Sequence, residues 1–226
     1  MKRAVEAGFR QLSGSIPATV GVAIASSGGS PPAGYGDWQT GVAWSTIKVP
    51  LAIAAMRARS DIDELVVETI TRSDNASAET LWSRLGEHAG QLVQAVIRDA
   101  GDPATAVESR RLRSEYTPFG QTRWSLAGQA RFAAGLSDVS GAARVIELMG
   151  RLAAGHRWGL AAKGFAAKGG WGPGLGGGYL VRQFAVVPGN IGVALAAEVS
   201  DGGYETGVDA VNALADWVVS QALAEY

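Results

Sequence analysis

The spacing of hydrophobic positions divides the chain into helical and extended segments. Apolar residues recur at helical intervals through its middle, whereas short apolar runs between Gly-rich and Pro-containing turns dominate its last third. Helices are predicted over residues 4–12, 46–59, 63–72, 76–85, 91–100, 126–136, 142–152 and 208–223. Strands are predicted over residues 19–25, 165–169, Tyr179–Val187 and Ile191–Val199, with a short strand or an extended lead-in at residues 41–44.

This order of elements predicts an α/β (α+β) sandwich fold. Strands from both ends of the chain would form one antiparallel sheet, and an all-helical subdomain would be inserted between them. We expect a single domain over residues 1–226, with its α/β part at about residues 1–44 and 156–226 and its helical part at about residues 45–155.

Composition excludes several kinds of chemistry. The 226 residues are 47% hydrophobic and 18% charged, which is typical of a folded globular chain. The absence of Cys excludes thiol nucleophiles, disulfides, iron–sulfur clusters and Cys zinc sites. The two His leave little room for a histidine-rich metal centre, so we expect no metal and no organic cofactor.

The charge balance bears on partners. Lys plus Arg is 20 and Asp plus Glu is 21. The formal net charge of −1 lacks the excess of basic residues that is typical of nucleic-acid-binding proteins. No apolar run is long enough to predict an integral membrane segment. The first residues are basic but no apolar run follows them, so no signal peptide is expected in the chain as written. The sequence predicts no particular oligomeric state.

Three short motifs carry candidate chemistry. They stand at a helix start, in an interhelical loop and at a strand end, as Ser45-Thr46-Ile47-Lys48, Ser73-Asp74-Asn75 and Lys168-Gly169-Gly170. Residues three apart on a helix share a face, so Ser45 and Lys48 would be neighbours. Free backbone N–H groups and the helix dipole beside Ser45 would favour negative charge on a bound oxygen.

Lysine is the base that this composition leaves for a serine nucleophile. Only four of the 20 basic residues are Lys, and two of the four fall in these motifs. A lysine that is desolvated or crowded by another cation can lose its proton near neutral pH, whereas a guanidinium stays charged. Lys168 would supply the second cation beside Lys48 and a clamp for a substrate carboxylate, and Ser73 would relay a proton to the leaving group.

The ordered motifs resemble those of the serine β-lactamase (class A) and penicillin-binding protein superfamily. Residues 44–52 are similar to the nucleophile helix of that family, and residues 71–78 are similar to its second motif. Tyr179–Val187 and Ile191–Val199 look like its final two strands. The resemblance covers most of the chain, from about residue 19 to the C-terminal helix.

The resemblance implies roles for the catalytic residues. Ser45 would be the acylated nucleophile and Lys48 the general base or part of its proton network. Ser73 would be the proton shuttle, and Lys168 would orient Ser73 and the substrate carboxylate.

Further residues are implied to bind the substrate. Asn75 would hydrogen-bond the amide side chain of the substrate. Gly170 and Trp171 would lie along it, and the backbone N–H groups of Ser45 and Trp171 would form the oxyanion hole. Arg182 resembles a family arginine that binds the substrate carboxylate, although an exposed strand arginine explains it equally well.

The chain also departs from the family pattern. Only 27 residues separate Ser45 from Ser73, so the helical subdomain should be shortened and the rim of the active site more open on that side. Gly169 stands where the family usually has Thr or Ser. Losing that hydroxyl should weaken carboxylate binding by about 1.5–3 kcal/mol, which Arg182 could partly offset.

The loop that carries the family's deacylation glutamate is not recognisable. The matching region, residues 107–120, offers Glu115 and Glu108 as candidate deacylation bases. Each could instead pair with one of the arginines of the same loop. Without a base that activates water, the acyl-enzyme would break down slowly.

These features leave three functions open. The first is an acyl-serine hydrolase in which Ser45 attacks the carbonyl of a β-lactam or of a related small-molecule amide or ester. The second is a D-alanyl carboxypeptidase or esterase with slow β-lactam deacylation. The third is a non-catalytic penicillin-binding sensor or pseudoenzyme. The family works at or outside the cell membrane, so export is implied by the resemblance alone.

Overall fold

The computed structural model of the protein describes residues 2–226; Met1, the first residue of the predicted domain, lies outside the described residues. The α-helices are α1 Lys2–Ser13, α2 Lys48–Ala58, α3 Asp63–Thr71, α4 Asn75–Leu85, α5 Ala89–Asp99, α6 Leu126–Gly135, α7 Ala142–Met149 and α8 Tyr204–Trp217. The strands are β1 Thr19–Ser26, β2 Ala33–Gly36, β3 Thr40–Val42, β4 Arg123–Ser125, β5 Ala166–Pro173, β6 Tyr179–Val187 and β7 Ile191–Val199.

The central sheet combines both ends of the chain. Its five strands run antiparallel in the order β2-β1-β7-β6-β5. Strands β1 and β2 come from the N-terminal part, and β5, β6 and β7 from the C-terminal part. The predicted α/β architecture with a sheet from both chain ends is therefore confirmed, and β5 forms one edge of the sheet.

Both faces of the sheet are covered, which explains its apolar strands. Helix α6 packs on β7 and β1 from one side, and α8 packs on β6 and β7 from the other, where α1 lies against α8. Strands β6 and β7 are accordingly buried on both faces for most of their length. A sheet covered on both sides needs such continuous apolar runs rather than alternation.

The helices between the two halves of the sheet pack around α2. Residues 49–55 of α2 are buried, and α3, α4 and α5 surround this helix. A helix that is apolar all round belongs in the interior of such an arrangement. Helix α2 thereby carries Lys48 at its start out of the helical core towards the sheet.

Three local details emerge only from the structure. Of the two alternatives for residues 41–44, the structure shows a short strand, β3, which pairs with β4 in a separate two-stranded sheet. Strand β4 lies in a stretch predicted to be irregular, and β2 was not predicted, because three- and four-residue strands carry too few positions for a period to emerge. The last helix starts earlier than predicted and ends in a π-helical turn, Val218–Ala222.

No helix within residues 2–226 combines the length and the apolarity that a bilayer span requires.

Gly192 sets the distance between β7 and α6, and this contact gives a stability prediction. A Cβ at Gly192 would lie 2.1 Å from the Ala130 carbonyl oxygen and 2.3 Å from the Ala134 backbone nitrogen. Because backbone atoms cannot rotate away, Gly192→Ala should lower the free energy of unfolding by about 1–3 kcal/mol in urea denaturation. Gly34→Ala, where a Cβ meets no atom within 4 Å, is the matched control and should be neutral. Equal stability of the two variants would contradict this contact.

Candidate active site

Ser45 lies in a short 3₁₀ helix, Trp44–Ile47, that leads directly into α2. The residue before it, Trp44, has a left-handed φ of 50°, which is unfavourable for an aromatic residue. Its ring is held edge-on against Tyr116 at 4.8 Å, with the Arg113 guanidinium 5.0 Å from the ring centre. These contacts fix the backbone from which Ser45 enters the cleft described below.

Lys48, the first residue of α2, connects this helix to the loop between α3 and α4. Its Nζ donates hydrogen bonds to the Ser73 carbonyl oxygen and, at 2.7 Å, to Asn75 Oδ1. The Ser73 hydroxyl lies 3.4 Å from the same Nζ. The spacing of the first motif thus directs Lys48 towards the second motif.

Lys168 reaches Ser73 from the edge of the sheet. Its Nζ donates to Ser73 Oγ at 2.8 Å and to the Gly169 carbonyl oxygen at 3.0 Å. Ser73 itself has a left-handed φ of 55°, and Asp74 caps α4 by accepting a hydrogen bond from the Ser77 backbone at 2.7 Å. The helix cap therefore fixes the turn that presents the Ser73 hydroxyl to two lysines.

Burial of the two ammonium groups shifts both pKa values downwards. Desolvation lowers the pKa of Lys48 to about 8, although the charges of Asp74 and Glu79 act in the opposite direction. Desolvation lowers the pKa of Lys168 well below its usual value, and the charge of Lys48 adds to that effect. A lysine with a pKa near 8 is neutral in a useful fraction of molecules close to neutral pH.

A cleft of about 600 Å³ lies beside these motifs. Ser45, Lys48 and Ser73 line it, and aromatic side chains form much of its wall, namely Trp44, Tyr116, Phe119, Trp171 and Tyr179. Among the residues that the structure describes, Ser45 Oγ forms no hydrogen bond. The serine hydroxyl therefore faces a cavity large enough for a small molecule.

The edge strand β5 lies directly against the segment that contains Ser45. A Cβ at Gly170 would stand 2.8 Å from the Ser45 backbone nitrogen and 2.9 Å from the Ala43 carbonyl oxygen. Only glycine allows this approach. Trp171, the next residue, lines the cleft, as does Asn75 from the start of α4.

Arg182 does not lie in the cleft, so the expectation that it binds a substrate carboxylate is wrong. The side chain is fully buried and donates to the carbonyl oxygens of Gly41, Val42 and Trp124 and to Gln129 Oε1 at 2.9–3.2 Å. Burial lowers its pKa to about 9. Arg182 is a buried anchor that joins β6 to the small β3–β4 sheet and to α6.

Of the two predicted deacylation candidates, only Glu115 reaches the cleft. The Glu108 carboxylate accepts hydrogen bonds from the backbone and the side chain of Arg110, at 2.8 and 3.2 Å. Glu108 is therefore engaged within its own loop, and the prediction that it serves as a base at this cleft is corrected.

The structure also explains the glycine at the centre of the third motif. A Cβ at Gly169 would lie 2.5 Å from the Trp158 ring. The indole occupies the space into which a side chain at this position would project. The hydroxyl that the family usually carries here has no room in this chain.

His156 and Glu79 line the cleft and were not among the predicted site residues. The His156 ring stacks on Trp171 at 5.3 Å, and desolvation, followed by the charges of Lys168 and Lys48, lowers its pKa. Glu79 also lines the cleft, from α4. A signal for Glu79 was present, because it follows Asn75 by four residues and so shares its helix face, whereas nothing in the sequence indicated the position of His156.

No group of three or more His, Asp or Glu side chains in the described part of the chain is arranged to hold a metal ion. The groups that line the cleft are instead those of acid–base and nucleophilic chemistry.

The fold was compared with known proteins. No protein-family model matches the chain, and no curated protein matches its sequence. Solved structures do match. The β-lactamase from Streptosporangium roseum aligns with a TM-score of 0.75 at 16% identity, over 99% of this chain and 100% of that chain.

Two further structures give the same result. The class A β-lactamase from Mycobacterium abscessus aligns with a TM-score of 0.68 at 17% identity, over 97% of this chain and 99% of that chain. The class A β-lactamase of the last common ancestor of Gram-negative bacteria aligns with a TM-score of 0.70 at 19% identity, over 97% and 99%. The chain is thus a divergent protein with the fold of the class A β-lactamases, as the resemblance of its motifs predicted.

The buried position of Arg182 predicts a large effect on stability. Arg182→Met should lower the free energy of unfolding by about 2–4 kcal/mol, because four buried acceptors lose their donor. Arg123→Met, at an exposed position of the adjoining strand β4, is the matched control and should change stability by less than about 0.5 kcal/mol. Urea denaturation of both variants measures the difference, and similar midpoints would show that Arg182 is not an anchor.

Proposed function

We propose that the protein is an acyl-serine hydrolase in which Ser45 attacks the carbonyl carbon of a β-lactam or of a related amide or ester. The observation that carries this proposal is the convergence of Lys48 and Lys168 on Ser73, which lines one cleft together with Ser45 and Lys48. The fold that it shares with class A β-lactamases supports the same reaction class.

Lys48 acts as the base in the proposed acylation step. Its neutral amine accepts the Ser45 hydroxyl proton as Oγ attacks, and the carbonyl oxygen becomes an oxyanion. The backbone N–H groups of Ser45 and Trp171 stabilise this charge, in keeping with the contact of Gly170 on the nucleophile segment. Ser73 then passes its hydroxyl proton to the leaving nitrogen or oxygen and takes the proton back from the Lys48 ammonium.

Lys168 fixes the Ser73 hydroxyl on the side of the sheet. When Lys168 is protonated, its charge attracts an anionic group to this side. A substrate carboxylate would lie at this end. Because Arg182 is buried elsewhere and Gly169 bears no hydroxyl, fewer groups hold the carboxylate than the family resemblance implies. We expect weak binding of β-lactams and acylation that depends on high reagent concentration. Asn75 lines the cleft and is available to hold the amide side chain.

A D-alanyl carboxypeptidase or esterase is the second candidate. This function is favoured because Glu108 is hydrogen-bonded to Arg110. In the loop that matches the family's deacylation loop, Glu115 is then the one carboxylate that lines the cleft. A penicilloyl enzyme that persists while D-Ala-D-Ala peptides or small esters are turned over would select this function. A non-catalytic sensor would instead keep its biological phenotype in the Ser45→Ala variant.

Covalent labelling tests the proposal. Incubation with millimolar benzylpenicillin should add the mass of one ring-opened molecule, and peptide mapping should place the adduct on Ser45. Ser45→Ala should remove the adduct, whereas Ser83→Ala, at an exposed position of α4, should retain it. The absence of any adduct at Ser45, together with no hydrolysis of nitrocefin and of small ester substrates, would contradict the proposed function.

The pKa of Lys48, lowered to about 8, predicts the pH dependence of acylation. The base is the neutral amine, which predominates above its pKa, so the acylation rate should rise with pH and level off above about 8. Asp74→Asn keeps a capping oxygen but removes a charge that raises the Lys48 pKa, so it should move the midpoint to lower pH. Stopped-flow or quench measurements between pH 6 and 10 provide the profile. A rate that stays flat through pH 8 would contradict the role of Lys48.

A further inference from the structure

Glu79 occupies a position in the cleft that the proposed acylation step does not use. It lies one helical turn after Asn75 on α4, and both side chains line the cavity beside Ser45, Lys48 and Ser73. Residues four apart on a helix point to the same side. The face of α4 that offers Asn75 to Lys48 thus also directs a carboxylate towards the acylation site.

Two observations describe the environment of this carboxylate. Its negative charge raises the pKa of Lys48, against the larger effect of desolvation, so the carboxylate acts on the buried amine through the cleft that both side chains line. Its own partner, Arg111, is 3.9 Å away, and both side chains of this ion pair are about half exposed, at 51% and 49%. A long pair between exposed groups holds a side chain weakly. The Glu79 carboxylate therefore lies in the same cleft as Ser45 and Lys48 and is held only weakly, so it can accept a hydrogen bond from water.

The other acidic residues are less well placed. Glu108 is bound to Arg110 within its loop. Glu115 lines the cleft, but it lies on the irregular segment before the 3₁₀ helix Phe119–Gln121, and its charge is not among those that act on Lys48. Glu79, by contrast, is carried by a capped α-helix, whose position the Asp74 contact fixes.

We propose that Glu79 is the general base that activates the water molecule for hydrolysis of the Ser45 acyl-enzyme, an inference that rests on the proposed function. The deacylation base would then be a residue of α4 and neither Glu115 nor Glu108, the two candidates in the later loop.

The step balances with water as the only added reactant. The Glu79 carboxylate takes one proton from a water molecule as the water oxygen bonds to the ester carbonyl carbon. The tetrahedral intermediate collapses, the bond from that carbon to Ser45 Oγ breaks, and Oγ takes a proton from Lys48, which has drawn one from solvent after acylation. Glu79 then releases the proton from water to solvent, and the product leaves as a carboxylic acid that ionises.

A pulse–chase experiment on the full chain separates this step from acylation. The protein is acylated with benzylpenicillin, excess reagent is removed, and intact mass is followed over time. Glu79→Gln should still form the Ser45 adduct. It should release that adduct at least about 100-fold more slowly than the unaltered protein, as expected when a general base is removed. Glu115→Gln, which removes one negative charge from the same cleft, should release it at the rate of the unaltered protein.

The outcomes are distinguishable. No adduct on the unaltered protein or on Glu79→Gln, together with no hydrolysis of nitrocefin and of small esters, would overturn the proposed function, and this inference with it. An adduct that accumulates on Glu79→Gln but not on the unaltered protein supports the inference. An adduct that forms but is released equally fast by the unaltered protein and by Glu79→Gln, or is retained by both, overturns the inference alone. Slow release by Glu115→Gln with normal release by Glu79→Gln assigns the base to Glu115.

The pH profile of acylation excludes a purely electrostatic role for Glu79. Removing its charge should lower the pKa of Lys48 and move the acylation midpoint to lower pH, whether or not Glu79 activates water. A shift of that midpoint with an unchanged release rate would therefore overturn the proposal. A shift accompanied by slow release supports it.

Discussion

Two buried lysines that share one serine hydroxyl are the constraint on which the rest of the site depends. Ser73 Oγ lies 2.8 Å from Lys168 Nζ and 3.4 Å from Lys48 Nζ, and both amines are almost completely buried. Desolvation disfavours the charged form of each, and their mutual repulsion increases that effect on Lys168. The fold must therefore hold two ammonium groups where their charged forms are unfavourable. The resulting fall in pKa leaves part of the lysine neutral near neutral pH, and only a neutral amine can accept a proton.

The fold meets this constraint by bringing together segments that are far apart in sequence. Helix α2 supplies Lys48 from the helical core, and the sheet edge supplies Lys168. The strong apolar periods of the chain predicted these larger elements, including Tyr179–Val187 and Ile191–Val199 with their observed bounds. They did not predict β2 or the β3–β4 pair, because strands of three or four residues are determined by tertiary packing rather than by local pattern.

The site was predictable as far as motif and short-range geometry determine it. Helical spacing brought Ser45 and Lys48 to one face, and the contacts of Ser73 with both lysines agree with the order of the motifs. Arg182 was assigned wrongly because a strand position does not reveal which buried carbonyl groups its side chain will meet. Glu79 was overlooked although it shares a helix face with Asn75, and the packing of α4 shows that this face borders the cleft.

Nuclear magnetic resonance of the protein labelled with isotopes in lysine alone tests the central claim most directly. With four lysines in the chain, each side chain should give a resolved signal, and Lys48→Met and Lys168→Met assign the two of interest. The account predicts that the Lys48 amine titrates with a pKa of about 8 and that the Lys168 amine also titrates well below its usual range. Titration of both amines near the ordinary lysine value of 10.5 would contradict it.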